Sequence, residues 1–140
     1  MRPFFDTNVL VYAFDEGEPE KREVSRALIN EHLVEGDGLL SVQVLREFYS
    51  VSRRASFPLP AVDAVEAVRY LVAAFSPVPE NAAMVLGAVR RSTEFSVSFW
   101  DALILEAAIS TGADRLFTED LQDGKIIEGL RIENPFSSGS

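Results

Sequence analysis

Short apolar runs alternate with segments of helical periodicity along this chain, and no other property narrows its fold as far. Pro3-Phe4-Phe5 reads as a buried strand ending at Asp6, and Val9–Phe14 as the start of a buried helix. Pro19 suits the first turn of a second helix, which keeps rough helical spacing through Val24, Ala27, Leu28 and Leu33 and stops at Gly36 or Gly38. Gly38-Leu39-Leu40 is a second short strand, and Ser41 caps a helix over Val42–Arg54 with Val44, Leu45, Phe48 and Val51 apolar. Pro58 and Pro60 precede another helix with Val62, Val65, Val68, Leu71, Val72 and Phe75 on one face. Residues 76–79 are extended, Asn81–Arg91 is helical, and Ser98 caps a helix over Phe99–Ser110 that Gly112 stops. Arg115–Thr118 is a strand, and Leu130-Arg131-Ile132 a last, edge strand. Strands separated by helices imply a parallel sheet covered on both faces. The expected fold is α/β: a three-layer α/β/α sandwich with a short, mostly parallel central sheet.

The 140 residues suit one domain, expected over residues 1–136, with residues 137–140 as a flexible tail. No cysteine is present, which excludes a disulfide framework, a thiolate zinc site and a thiol nucleophile. His32 is the single histidine, so a multi-histidine metal site is excluded too. A strand begins within three residues of Met1, no apolar run approaches the roughly 20 residues of a membrane span, and a cytoplasmic protein is expected. The formal net charge of −9 is unevenly placed. Residues 15–37 carry eight acids against three bases, whereas residues 46–91 are net positive and all their positive charge is arginine, whose forked guanidinium suits phosphate.

With those nucleophiles absent, the chemistry must come from acids. Asp6 ends the first strand, Glu47 lies in the helix after the second, and Asp101 is in the first turn of the helix capped by Ser98. Glu119 and Asp120 follow the strand Arg115–Thr118. An open parallel sheet presents its ligand site beyond the carboxyl ends of its strands. Each acid also has an ordinary explanation: Asp6 as a helix cap, Asp101 in a near capping box, Glu47 paired with Arg46 or Arg54, Asp120 opening a turn. Brought together they need a cation, because two carboxylates about 6 Å apart at an effective dielectric of about 20 repel by roughly 3 kcal/mol. Oxygen ligands without histidine or cysteine select Mg2+ or Mn2+, and metal-assisted phosphodiester hydrolysis is the natural chemistry.

Phe5-Asp6-Thr7-Asn8-Val9-Leu10 and Leu40-Ser41-Val42-Gln43-Val44-Leu45-Arg46-Glu47-Phe48 resemble the first two motifs of the PIN-domain nucleases. Ser98-Phe99-Trp100-Asp101-Ala102-Leu103 resembles the third motif and Phe117-Thr118-Glu119-Asp120-Leu121 the fourth. The resemblance spans about residues 3–136, including the closing Ile132–Phe136 segment, and within the family it is greatest to the VapC toxins of bacterial toxin–antitoxin pairs. It implies a Mg2+-dependent endoribonuclease, Mn2+ being a possible substitute, with Asp6 and Asp101 as direct metal ligands and Glu47 and Asp120 completing an acidic quartet. Asp120 aligns with the motif's aspartate better than its neighbour Glu119 does. Thr7, Asn8 and Thr118 would orient ligands or waters, and Ser41 would cap the helix carrying Glu47. Arg46, Arg53 and Arg54 would meet RNA phosphates or an antitoxin. A homodimer and a small VapB-like antitoxin are implied as well, with the helices Val42–Arg54 and 61–75 as contact candidates.

Other readings fit less well. A haloacid-dehalogenase-type phosphatase needs a second aspartate where Asn8 stands, and a receiver domain needs a strand-end lysine that neither Lys21 nor Lys125 supplies. A PIN-like module that binds RNA or a partner without cutting it is the remaining alternative, set against the retention of four mutually repelling acids.

Overall fold

The computed structural model of the chain describes residues 2–54 and 59–137. Pro58 and the tail beyond Ser137 lie outside the described residues. The elements run β1 (Pro3–Phe5), α1 (Thr7–Tyr12), α2 (Pro19–Glu35), α3 (Val42–Ser52), α4 (Ala61–Phe75), α5 (Ala82–Glu94), α6 (Phe99–Ser110), β2 (Arg115–Phe117), β3 (Ile126–Ile127) and β4 (Leu130–Glu133). Local chemistry sets the helix starts. Pro19 occupies the first turn of α2, while Ser41, Asn81 and Ser98 accept from the backbone N–H groups of Val44, Met84 and Asp101 at 3.4, 2.9 and 3.1 Å.

The sheet has the order β1-β2-β4-β3, with β1, β2 and β4 mutually parallel and β3 antiparallel to β4. Phe4, Leu116 and Ile132 stand in register on one face, fully buried. On the other face Phe5 and Phe117 meet the His32 ring of α2, and Phe5 also meets Phe75 of α4. Burial of both faces by helices makes the expected α/β sandwich. The in-register pairing of β1 with β2 brings their carboxyl ends out side by side, and the Asp6 backbone N–H donates to the Phe117 carbonyl at 3.0 Å.

Five expectations need correction. Leu130–Ile132 is not an edge strand, because the unforeseen β3 pairs outside it through a hairpin turned at Glu128 and Gly129, with φ of 48° and 86°. Two consecutive positive-φ residues are what a primed two-residue hairpin needs, and a two-residue strand is too short to show alternation. Residues 38–40 make a single parallel bridge, Phe4↔Leu39, rather than a strand, since Ser41 commits the chain to α3 at once. That helix ends at Ser52, with Arg53 as its C-cap.

The helix stripes also shift. The buried side of α4 is Ala64, Ala67, Leu71 and Phe75, leaving Val62, Val65 and Val72 exposed. Alanines permit the closer helix approach, so the valine row is displaced outward. In α2 the buried residues are Ser25, Ile29 and His32, while Val24 and Ala27 face out. No helix among the described residues is long and apolar enough to cross a membrane.

Candidate active site

A cleft of about 400 Å³ opens beyond the carboxyl ends of β1 and β2. Asp6, Glu47, Asp101 and Asp120 all line it, delivered by the end of β1, by α3, by the first turn of α6 and by the turn after β2. Thr7 and Asn8 line it as well, whereas Glu119 does not.

Asp6 is 4% exposed, and each of its oxygens has a donor. Oδ1 accepts from the Thr7 N–H at 2.7 Å, so Asp6 does serve as the cap of α1, and Oδ2 accepts from the Thr118 hydroxyl at 2.8 Å. The same hydroxyl accepts from the Asp120 N–H at 3.1 Å, which ties the two strand ends together. Asn8 extends the link, its Nδ2 donating to Asp120 Oδ2 at 2.9 Å. Glu47 takes the Thr7 hydroxyl at 3.0 Å and Gln43 Nε2 at 2.7 Å, instead of the arginine partners Arg46 or Arg54. Gln43 also donates to the Trp100 carbonyl at 3.3 Å and so couples α3 to the start of α6.

The charges are felt across the cleft. Burial, with smaller contributions from Asp120 and Glu47, raises the Asp6 carboxyl to about 7 despite its two donors. Asp101 is raised for the same reasons, burial first and then Asp120 and Glu47, with Ser98 opposing. Glu119 points elsewhere: it takes the Tyr12 hydroxyl and Lys21 Nζ at 2.5 and 2.9 Å, and Lys21 lies over the Tyr12 ring.

A hard divalent cation suits this donor set in chemistry and charge. Glu47 and Asp120 help to raise Asp6 and Asp101, and Asn8 Oδ1 is a buried oxygen without a hydrogen-bond partner. Among the described residues, no three Asp, Glu, His or Cys side chains yet converge in ion-holding geometry. Each oxygen of Asp6 and Glu47 carries one internal donor, which orients the carboxylate and leaves a second lone pair for an ion.

The three arginines separate. Arg46 pairs with Glu80 at 2.5 Å and Arg53 Nη1 donates to the Leu59 carbonyl at 3.0 Å, while Arg54 lines a groove that continues the cleft along α3. Sequence reasoning gave no role to Tyr12, Asp15, Gln43 or Trp100, yet Tyr12, Asp15 and Trp100 line the cleft. Gln43 was findable from its i, i+4 spacing to Glu47. For Tyr12 and Asp15 the sequence offers no signal.

No curated protein sequence matches the chain. Among solved structures, the chain is similar to the Mycobacterium tuberculosis toxin VapC20, described as cleaving the sarcin–ricin loop. The TM-score is 0.69 at 18% identity, over 84% of this chain and 89% of that one. It is also similar to VapBC2 from Rickettsia felis, bound to a DNA fragment from its promoter, with a TM-score of 0.64 at 21% identity over 96% of this chain and 98% of that one. At those identities the likeness concerns the fold. A PIN-domain family model matches residues 4–122, and the chain belongs to the PIN-domain family.

Proposed function

We propose that this chain is a single-domain, Mg2+-dependent endoribonuclease and the toxin of a toxin–antitoxin pair, acting in the cytoplasm as a homodimer restrained by a VapB-like antitoxin. The observation that carries the reading is the meeting of four acids from distant segments in one cleft of a PIN domain. The similarity to a VapC toxin and to a VapBC complex supports the toxin role.

Asp6, Glu47, Asp101 and Asp120 would hold Mg2+, or Mn2+ in its place. A bound divalent ion acidifies water and polarises a phosphoryl oxygen. The residues of the chain do the rest. Thr118 and Thr7 fix the Asp6 and Glu47 carboxylates, Asn8 orients Asp120, and Ser41 and Ser98 anchor the helices that bring Glu47 and Asp101. Water attacks phosphorus in line as the P–O3′ bond breaks, a cleft carboxylate takes the water's proton, and the departing 3′-oxygen takes one from solvent, which leaves a 5′-phosphate and a 3′-hydroxyl.

Incubating the purified chain with single-stranded RNA and Mg2+ tests this. Cleavage is expected to stop in excess chelator and in Asp101→Asn, with 5′-phosphate ends on the products. Full activity in chelator, or 2′,3′-cyclic phosphate ends, would overturn it. Induced expression should arrest growth, and co-expression of a short neighbouring reading frame should relieve the arrest.

A further inference from the structure

The cleft does not end at its acids. A groove of about 390 Å³ continues from it along α3, lined by Glu47, Ser50, Val51, Arg54 and Trp100. Glu47, Val51 and Trp100 belong to both hollows, so whatever lies in the groove is a direct neighbour of whatever lies among the carboxylates. Trp100 is 62% exposed, an unusual placement for so large an apolar surface. It is also held firmly: it sits in the first turn of α6, the Ser98 cap fixes that turn, Gln43 binds its carbonyl, and the Phe99 ring meets it edge-on at 5.3 Å.

We infer that this groove is a binding subsite for one unpaired nucleotide of the substrate strand, adjacent to the phosphate that is cut. Trp100 is the stacking platform for its base, and Arg54 the cation for a phosphate. The inference rests on the nuclease reading and adds to it the residues that hold a base and a phosphate beside the cut. Charge supports stacking as the source of affinity. A chain of net charge −9, with five acids lining the cleft, gains little from general attraction to a polyanion, whereas stacking on an indole does not depend on charge. A base within a duplex has both faces covered and cannot use the platform, so unpaired strands are selected. Val51 and Arg54 line the same groove as the indole, so it offers apolar surface to a base and a guanidinium to a phosphate.

Trp100 is the only tryptophan of the chain, so it reports on its own subsite. Titrating a short single-stranded RNA into the Asp6→Asn chain in Mg2+ should quench tryptophan fluorescence, and the same strand annealed to its complement should not. In the otherwise unaltered chain, Trp100→Ala should raise KM for a single-stranded substrate about ten-fold or more while kcat stays within about two-fold. Trp100→Phe, which keeps a ring, should recover most of the loss. Circular dichroism should show Trp100→Ala folded, because the side chain is exposed and alanine favours helix.

Quenching by single strands from a chain that cuts no RNA would keep the subsite and discard the nuclease reading. Metal-dependent cleavage with an unchanged KM in Trp100→Ala and no quenching would overturn the subsite and leave the nuclease reading standing.

Discussion

At the residue scale, Asp6 and Thr118 show how one carboxylate can be both a helix cap and part of an acid-lined cleft. Asp6 gives one oxygen to the Thr7 N–H and the other to the Thr118 hydroxyl. Burial nevertheless holds its carboxyl near 7, against 3.8 in an unfolded chain. Between those values the folded state keeps a proton that the unfolded state has lost. Without metal, stability is therefore expected to fall as pH rises from about 4 to about 7, by on the order of a few kcal/mol, and then to level off. Urea melts in chelator at several pH values check this. Asp6→Asn should flatten that slope and raise the melting temperature at pH 8, because a neutral amide of the same shape removes a buried charge. Thr118→Val should act in the opposite sense. It leaves Asp6 Oδ2 without a donor and the Asp120 N–H without an acceptor, at a cost of about 1–3 kcal/mol, and it should reduce cleavage more than binding.

At the element scale, α6 carries Asp101 and Trp100, so its seat decides the geometry of the cleft. That seat is partly polar. Arg91 of α5, almost wholly buried, pairs with Glu106 of α6 and with Glu128 in the β3–β4 turn. Glu106 lies directly over Gly87, where an added Cβ would stand 2.3 Å from Oε1. Gly87→Ala should push Glu106 away from Arg91, leave a buried guanidinium short of a partner and destabilise the fold by roughly 1–3 kcal/mol, read as an earlier denaturant midpoint. A shorter side chain in Glu106→Ala would relieve the crowding but lose the pair, so the double variant should be less destabilised than the two single changes added together. The sequence shows α6 and its cap clearly, but not this clamp, because Arg91, Glu106 and Glu128 share no local spacing.

At the scale of the whole molecule, the net charge of −9 and the acid-lined cleft pull in the same direction, and a divalent ion offsets both. Ligand linkage then predicts that millimolar Mg2+ raises the melting temperature of the chain, by about 2.7 kcal/mol of added stability at a hundred times the dissociation constant. Asp101→Asn should show less of this gain, and calorimetry with and without chelator measures it. An unaltered melting temperature in Mg2+ would argue against ion binding in the cleft.

What the sequence determined by itself is local. Strand–acid–helix order, the caps at Ser41 and Ser98, and the places of Asp6, Glu47 and Asp101 beside strand ends and helix starts follow from short-range chemistry. The tertiary structure decided which side each element turns inward and which neighbours meet. It placed Asp120 in the cleft and turned Glu119 toward Tyr12 and Lys21, two residues that adjacency alone leaves equivalent. It buried the alanine row of α4 instead of its valines, and closed β4 with a strand too short to read in advance. The reason is the same in each case: these outcomes depend on volumes and partners far away along the chain, and only packing compares them.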